Sequence, residues 1–444
     1  MLMFLRKRRT DNDSSDQYLE WKKKTVIANQ KPTFEPELTI FDKLNSDCMD
    51  EMLDWLDLDS LCALSRTCKS LQKFTKNYFQ WKYISQEFTV GDEFVYNPKY
   101  VNCFGDDVQI LRFFDSSLDD FKFAGSNINL CLREIEFNQT YKLENLITKK
   151  HIDHMKDVLE NVKVLRAVDC DFSKGCAKYL LDCSKNVENF AFKIHKNVQK
   201  YKIEFQRYPS MKNIEIHFDS KVKVTEVMNM LKEQIGHVFL DELVLLFCKE
   251  HDPSMVFTEL NMMYNKQFYK HLYLMFKKKS MVSEHIDQIA SVKGLKGLTF
   301  LYTINISTDI HLTDITKLQN IKYLYLNSLL CRVDQIAQSL HQLEEMEISV
   351  TSITAIISFV RYSANLTKLH IVQVRANNEQ FNWSILEKQR IMLKNAKKLV
   401  IYMPEKKFLE LKWSSPKVSS VLVEFKREES YRPKNLTYHI NSVN

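Results

Sequence analysis

Residues 240–245 read LDELVL and residues 269–274 read YKHLYL. Both have the form apolar-x-x-apolar-x-apolar. Their second halves alternate with a period of two, which sends successive side chains to opposite faces of a strand. The same form stands at 132 (LREIEF), 162 (VKVLRA), 187 (VENFAF), 211 (MKNIEI) and 295 (LKGLTF), and again at 321 (IKYLYL), 343 (LEEMEI), 366 (LTKLHI) and 396 (AKKLVI). Any buried strand can produce one such stretch. Eleven of them between 132 and 396, at steps averaging about 26 residues, predict an array. Helix-like stripes lie between several of them: HIDHMKDVLEN from 151, TEVMNMLKEQI from 225, VDQIAQSLHQ from 333 and ITAIISFVRYS from 353.

A strand plus a helix every 20–29 residues or so is the signature of a leucine-rich repeat. The predicted fold is therefore α/β: a short helical domain followed by a curved solenoid over 118–430, with parallel strands on the concave side and helices on the convex side. LDDFKF at 118 reads as the first strand. FLELKW at 408 and VSSVLV at 418 follow the 396 strand too closely for crossover helices, so they read as a hairpin-like terminal cap. Residues 85–117 read as a linker and N-terminal cap, and 431–444 as a tail.

A chain of 444 residues exceeds what one core supports, which agrees with a repeat array. Seven glycines are far below the usual ~7%. Phosphate-cradling loops need glycine for close backbone approach, and GxGxxG, GxxxxGK[ST] and GxSxG are all missing. That composition argues against nucleotide-dependent and α/β-hydrolase chemistry. The ten cysteines form no CxxC pair, and Cys170, Cys176 and Cys183 do not match zinc spacing. His151 and His154 stand three apart on one helical pattern, and a solvated helix face is the expected reading. No metal, cofactor or catalytic residue is expected. A net charge of +7 without a basic stripe argues against nucleic acid. The start, MLMFLRKRR, is not built like a signal peptide, and no apolar run spans a bilayer. The expected location is cytoplasmic, nuclear or both, with Arg6 to Arg9 as a candidate nuclear address. Residues 1–36 are polar and read as a disordered tail.

Residues 37–84 differ from everything after them. Met49, Met52, Leu53 and Leu56 form one helical stripe, and Asp59 reads as the N-cap of a second helix carrying Leu61, Leu64, Cys68 and Leu71. A third segment carries Phe79 and Trp81. So small a block buries little surface alone and must lean on something. Leu44, Asp47, the stripe, LDLDSL at 56–61, Leu64, Cys68-Lys69 and Trp81 together resemble an F-box. The proline that follows the opening leucine in that family is Asn45 here. With the repeats behind it, the chain resembles an F-box/leucine-rich-repeat protein.

The resemblance implies a non-enzymatic role. The F-box would dock a Skp-type adaptor through Leu44, Asn45, Met49, Met52, Leu53, Leu56, Leu61, Leu64 and Trp81. The adaptor would link it to a cullin and a RING subunit, making this chain the substrate receptor of an SCF-type ubiquitin ligase. A repeat scaffold with weakened or lost adaptor docking is the alternative, favoured by Asn45. Strand geometry puts the third, fifth and seventh residues of each motif on the concave face. There Leu246, Tyr273, Met275, Leu301, Tyr323 and Tyr325 predict an apolar docking patch, flanked by Glu345 and Glu347. A protein with an aromatic or apolar anchor and basic flanks would fit it.

Overall fold

The computed structural model describes residues 45–84, 86–91, 98–128, 131–138, 146–194, 203–219, 222–235, 239–247, 254–277, 285–300, 315–329, 333–350, 354–374, 383–414 and 421–427. The chain divides into two compact units, at residues 188 and 189.

The first unit opens with α1 (Ser46–Asp54), α2 (Leu58–Ser65) and α3 (Lys69–Lys82). There follow β1 (Glu87–Val90), α4 (Pro98–Phe104), β2 (Ile110–Phe114), α5 (Leu118–Asn127) and β3 (Glu134–Asn138). The unit continues with β4 (Leu146–Ile147), α6 (Lys149–Leu159), β5 (Val164–Asp169), β6 (Asp171–Phe172) and α7 (Cys176–Cys183). Strands β1, β2, β3 and β5 pair in that order, all parallel, and β4 pairs with β6. The parallel ladder thus already runs through the stretch expected to be a linker. The starts of β1 and β2, 23 residues apart and the second 24 before β3, keep the repeat spacing, and VQILRF at 108 has the repeat's own form.

LDDFKF is not a strand but the start of α5. Ser117 and Asp120 form a reciprocal capping box, with the Ser117 amide donating to Asp120 at 2.7 Å. That cap outweighs the local alternation. It aims Phe121 at Phe113 and Phe137, with ring centroids 4.1 and 5.9 Å away. His151 likewise serves a cap: Thr148 donates its amide to the His151 Nδ1 at 3.1 Å. Among the described residues no cluster of three or more metal-ligating side chains occurs.

The second unit holds β7 (Asn189–Ile194), β8 (Asn213–Phe218), α8 (Val224–Ile235), β9 (Leu240–Phe247), α9 (Ser254–Asn265) and β10 (Tyr269–Phe276). It continues through α10 (Ile286–Ala290), β11 (Leu295–Phe300), β12 (Tyr323–Leu329), α11 (Val333–Ser339), β13 (Glu345–Val350) and α12 (Thr354–Tyr362). It ends with β14 (Lys368–Val374), α13 (Trp383–Met392), β15 (Leu399–Met403), α14 (Glu405–Ser414) and β16 (Val423–Arg427). Every neighbouring pair from β7 to β16 is parallel, and strand order follows chain order. This repeated strand–crossover–strand layout is that of a leucine-rich-repeat array.

Phenylalanines close the strand ends of four successive repeats. Phe218, Phe247, Phe276 and Phe300 stack with centroids 5.0, 5.3 and 6.3 Å apart. Further along, Arg390 of α13 is fully buried. Its guanidinium instead donates to the carbonyls of Ser363, Ala364, Leu366 and Lys397, at 2.7–3.1 Å. Those carbonyls follow α12 and precede β15, so one side chain pins two consecutive repeats together.

The C-terminal end also departs from expectation. FLELKW lies inside α14, which starts directly after Pro404, where the missing amide of proline ends the strand and suits a helix entry. β16 then pairs in parallel with β15, Leu399 opposite Val423, so the terminus continues the array and forms no hairpin.

Candidate functional site

Two places collect the residues expected to function. The first is the helical block. Asn45 caps α1, its Oδ1 accepting from the Asp47 amide at 3.0 Å. Asp57, and not Asp59, caps α2, accepting from the Ser60 amide at 2.8 Å. The Ser60 backbone and hydroxyl hold the Asp57 carboxyl below its ordinary value. The third helix is a full one of 14 residues.

Burial splits the expected adaptor residues. Met49, Leu53 and Leu61 are at most 1% exposed and pack the block together with Leu58, Leu71 and Phe79. They are core, because the stripe that makes a helix amphipathic is the stripe that closes onto α3. Leu56 and Leu64 are half-buried. Met52 and Trp81 are open to solvent, and Asn45 lies exposed. Leu44 lies outside the described residues.

The most exposed large side chain here was not foreseen. Trp55, the C-cap of α1, is 85% exposed. It stands off the apolar stripe, which is the one signal that could have flagged it. Beside it, Asp54 ties α1 to α3, accepting from Tyr78 at 2.6 Å and from Lys82 at 2.5 Å. Lys82 also contacts the Tyr78 hydroxyl and lies over its ring, 4.5 Å from the centroid. Trp81, next to Lys82 in sequence, packs edge-on against Tyr78 with centroids 5.1 Å apart. An exposed indole thus follows Asp54 and another precedes Lys82 in sequence. Exposed aromatic side chains offer large contact area at small entropic cost.

The second place is the sheet face of the second unit. Register aligns two rows across β8 to β14. One runs Glu215, Val244, Tyr273, Gly297, Tyr323, Glu345, Lys368. The other runs His217, Leu246, Met275, Thr299, Tyr325, Glu347, His370. Val244, Leu246, Tyr273, Met275, Tyr323 and Tyr325 form one cluster, as their spacing suggested.

That cluster is closed. Tyr273, Tyr323 and Tyr325 are 4–6% exposed and Leu246 is fully buried. The Tyr273 ring lies across Gly297, where a Cβ would stand 2.3 Å from its Cδ1. From there it reaches Tyr323, centroids 5.8 Å apart. The hydroxyls are occupied: Tyr325 donates to Glu345 at 3.0 Å, and Tyr273 to Glu242 at 3.4 Å. Burial first, then Glu345, pushes the Tyr325 phenol well above its ordinary value. Glu345 also meets Lys368 at 3.4 Å, and Glu347 meets His370 at 3.0 Å. The flanking carboxylates thus already have partners within this chain, Lys368 and His370, and the tyrosines present no open surface. β9 and β10 are apolar at consecutive positions, the mark of strands covered on both faces. Leu301 lies outside the described residues.

The equivalent face of the first unit is charged. Arg112 bridges Glu87 at 2.9 Å and Glu136 at 3.0 Å, and Arg166 meets Glu134 at 3.5 Å.

No protein-family model matches the sequence, and no curated protein matches it. Among solved structures, a leucine-rich-repeat protein of Leptospira interrogans is similar at 13% identity. The match covers 76% of this chain and 93% of that one, with a TM-score of 0.27. At that score the likeness decides nothing further, and the repeat is carried by this chain's own strands.

Proposed function

We propose that this chain is a substrate-recognition subunit of an SCF-type ubiquitin ligase. Residues 45–84 dock a Skp-type adaptor, which brings a cullin and a RING subunit, and the repeats hold the target protein. The chain performs no bond chemistry. It raises the local concentration of target lysines near a ubiquitin thioester. The observation that carries this reading is the pair of exposed indoles, Trp55 and Trp81, with Met52 on the same small block. Large apolar side chains left in water on so small a block offer a partner a surface.

The corrected geometry sets the test. Leu53→Ala would hollow the core and is uninformative about docking. Trp55→Ala removes exposed surface only, and Trp81→Ala removes exposed surface together with one edge contact on Tyr78. The double variant should lose co-purification with a Skp-type adaptor, by about 2–4 kcal/mol or well over tenfold, while retaining its circular dichroism. Undiminished co-purification of the double variant refutes the docking site.

A second reading, a repeat scaffold without adaptor docking, is favoured by Asn45, which caps α1 where the resembled family has proline. Failure of the wild-type chain to bind any Skp-type adaptor would establish it.

A further inference from the structure

Cys62 of α2 and Cys103 of α4 are 41 positions apart in sequence, yet their sulfurs stand 2.9 Å apart. The Cys62 thiol is buried and donates to the Cys103 sulfur, while the Arg66 Nε donates to the same sulfur at 3.3 Å. Cys103 is partly exposed and lines an open cleft of about 370 Å³ with Ser65, Arg66, Cys68, Lys69 and Gln72. Two donors pointing at one sulfur, one of them cationic, favour the thiolate. Burial raises the Cys103 thiol, but the hydrogen bonds from Cys62 and Arg66 and the Arg66 charge hold the group below its ordinary value.

We infer that Cys103 and Cys62 form a peroxide-oxidisable pair, in which Cys103 is the attacking thiolate and Cys62 the resolving thiol. The Cys103 thiolate attacks one oxygen of a hydroperoxide. The S–O bond forms, the O–O bond breaks, and the departing alkoxide or hydroxide takes a proton to leave as alcohol or water. Cys103 is then a sulfenic acid, oxidised by two electrons, and the peroxide is reduced. The Cys62 sulfur attacks the Cys103 sulfur and gives up its proton. The S–S bond forms, the S–O bond breaks, and water leaves. Two thiols and one hydroperoxide become a disulfide, an alcohol and water. The link ties α2 to α4, so the helical block would be fastened to the segment that follows it. The cleft admits the oxidant to Cys103, while burial keeps Cys62 from reacting first.

The test is exposure of the reduced full chain to limiting hydrogen peroxide, alkylation of remaining thiols, and mapping with a protease that cuts at acidic residues. Such a protease separates Cys62 from Cys48, and Cys103 from Cys131; Cys62 and Cys68 stay on one peptide, so fragmentation of the linked peptide assigns which sulfur is joined. The expected product is a Cys62–Cys103 peptide, lighter by two hydrogen atoms and reversed by a dithiol reductant. Arg66→Gln should slow its formation about fivefold or more, because the thiolate loses its cationic donor. Cys103→Ser should leave Cys62 reduced under the same exposure. Linkage of Cys103 to Cys68 instead, over-oxidation of Cys103 with Cys62 still free, or an unchanged rate in Arg66→Gln would each overturn the proposal. Oxidation of Cys62 in Cys103→Ser would overturn it too.

Discussion

Gly297 shows how much one missing Cβ can decide. Its strand passes under the Tyr273 ring, and that ring joins β10 to β12 across β11. Gly297→Ala must push the ring aside or bend the strand. Overpacking of this kind costs about 1–3 kcal/mol, read as a lower denaturation midpoint with unchanged cooperativity. A variant as stable as wild type would show that the ring does not lie there. Residue types alone could place tyrosines on this face but could not show that a glycine one strand away carries one of them. Trp55 was missed for a related reason. Periodicity sorts apolar residues into a stripe and leaves off-stripe ones unassigned, although an off-stripe tryptophan is the one that stays in water.

Element boundaries follow caps more than apolar patterns in this chain. All eleven repeat motifs between 132 and 396 contribute strands, because strand starts recur with the fold's own period. The two misread stretches, at 118 and 408, have strand-like alternation overruled by a helix entry, Ser117 in one case and Pro404 in the other. Asp57 caps the second helix of the helical block. Asp57→Ala should cost about 1 kcal/mol of stability. Because the folded carboxyl sits below its ordinary value, its contribution is complete above the ordinary carboxylate range and disappears as pH falls through the folded value. The wild-type minus variant difference should therefore shrink in acid and stay constant near neutrality. A difference that grows in acid would contradict the cap. Between repeats, Arg390 plays the joining role. Arg390→Ala strands the carbonyls of Ser363, Leu366 and Lys397, and a loss of about 3–5 kcal/mol is expected by denaturant titration. A loss below about 1 kcal/mol would mean those carbonyls find other donors.

At the scale of the whole molecule, the chain is two compact units with different faces. The first carries the helical block and an Arg–Glu ladder, and the second an aromatic cluster enclosed in the sheet face. Among the described residues no helix is long and apolar enough to cross a membrane. The repeat architecture was legible because its signal is summed over many strands. The candidate surfaces were only half legible. Apolar character predicts both cores and docking sites, and only burial in the folded chain tells Leu53 from Trp55. The central claim is that the 45–84 block is a docking element. Hydrogen–deuterium exchange of the full chain, with and without a purified Skp-type adaptor, tests it most directly. The account predicts slowed exchange at the C-terminal end of α1 around Trp55 and in the last turns of α3 around Trp81, with the strands of the second unit unchanged. Adaptor-dependent protection confined to the sheet face, or none in the helical block, would contradict it.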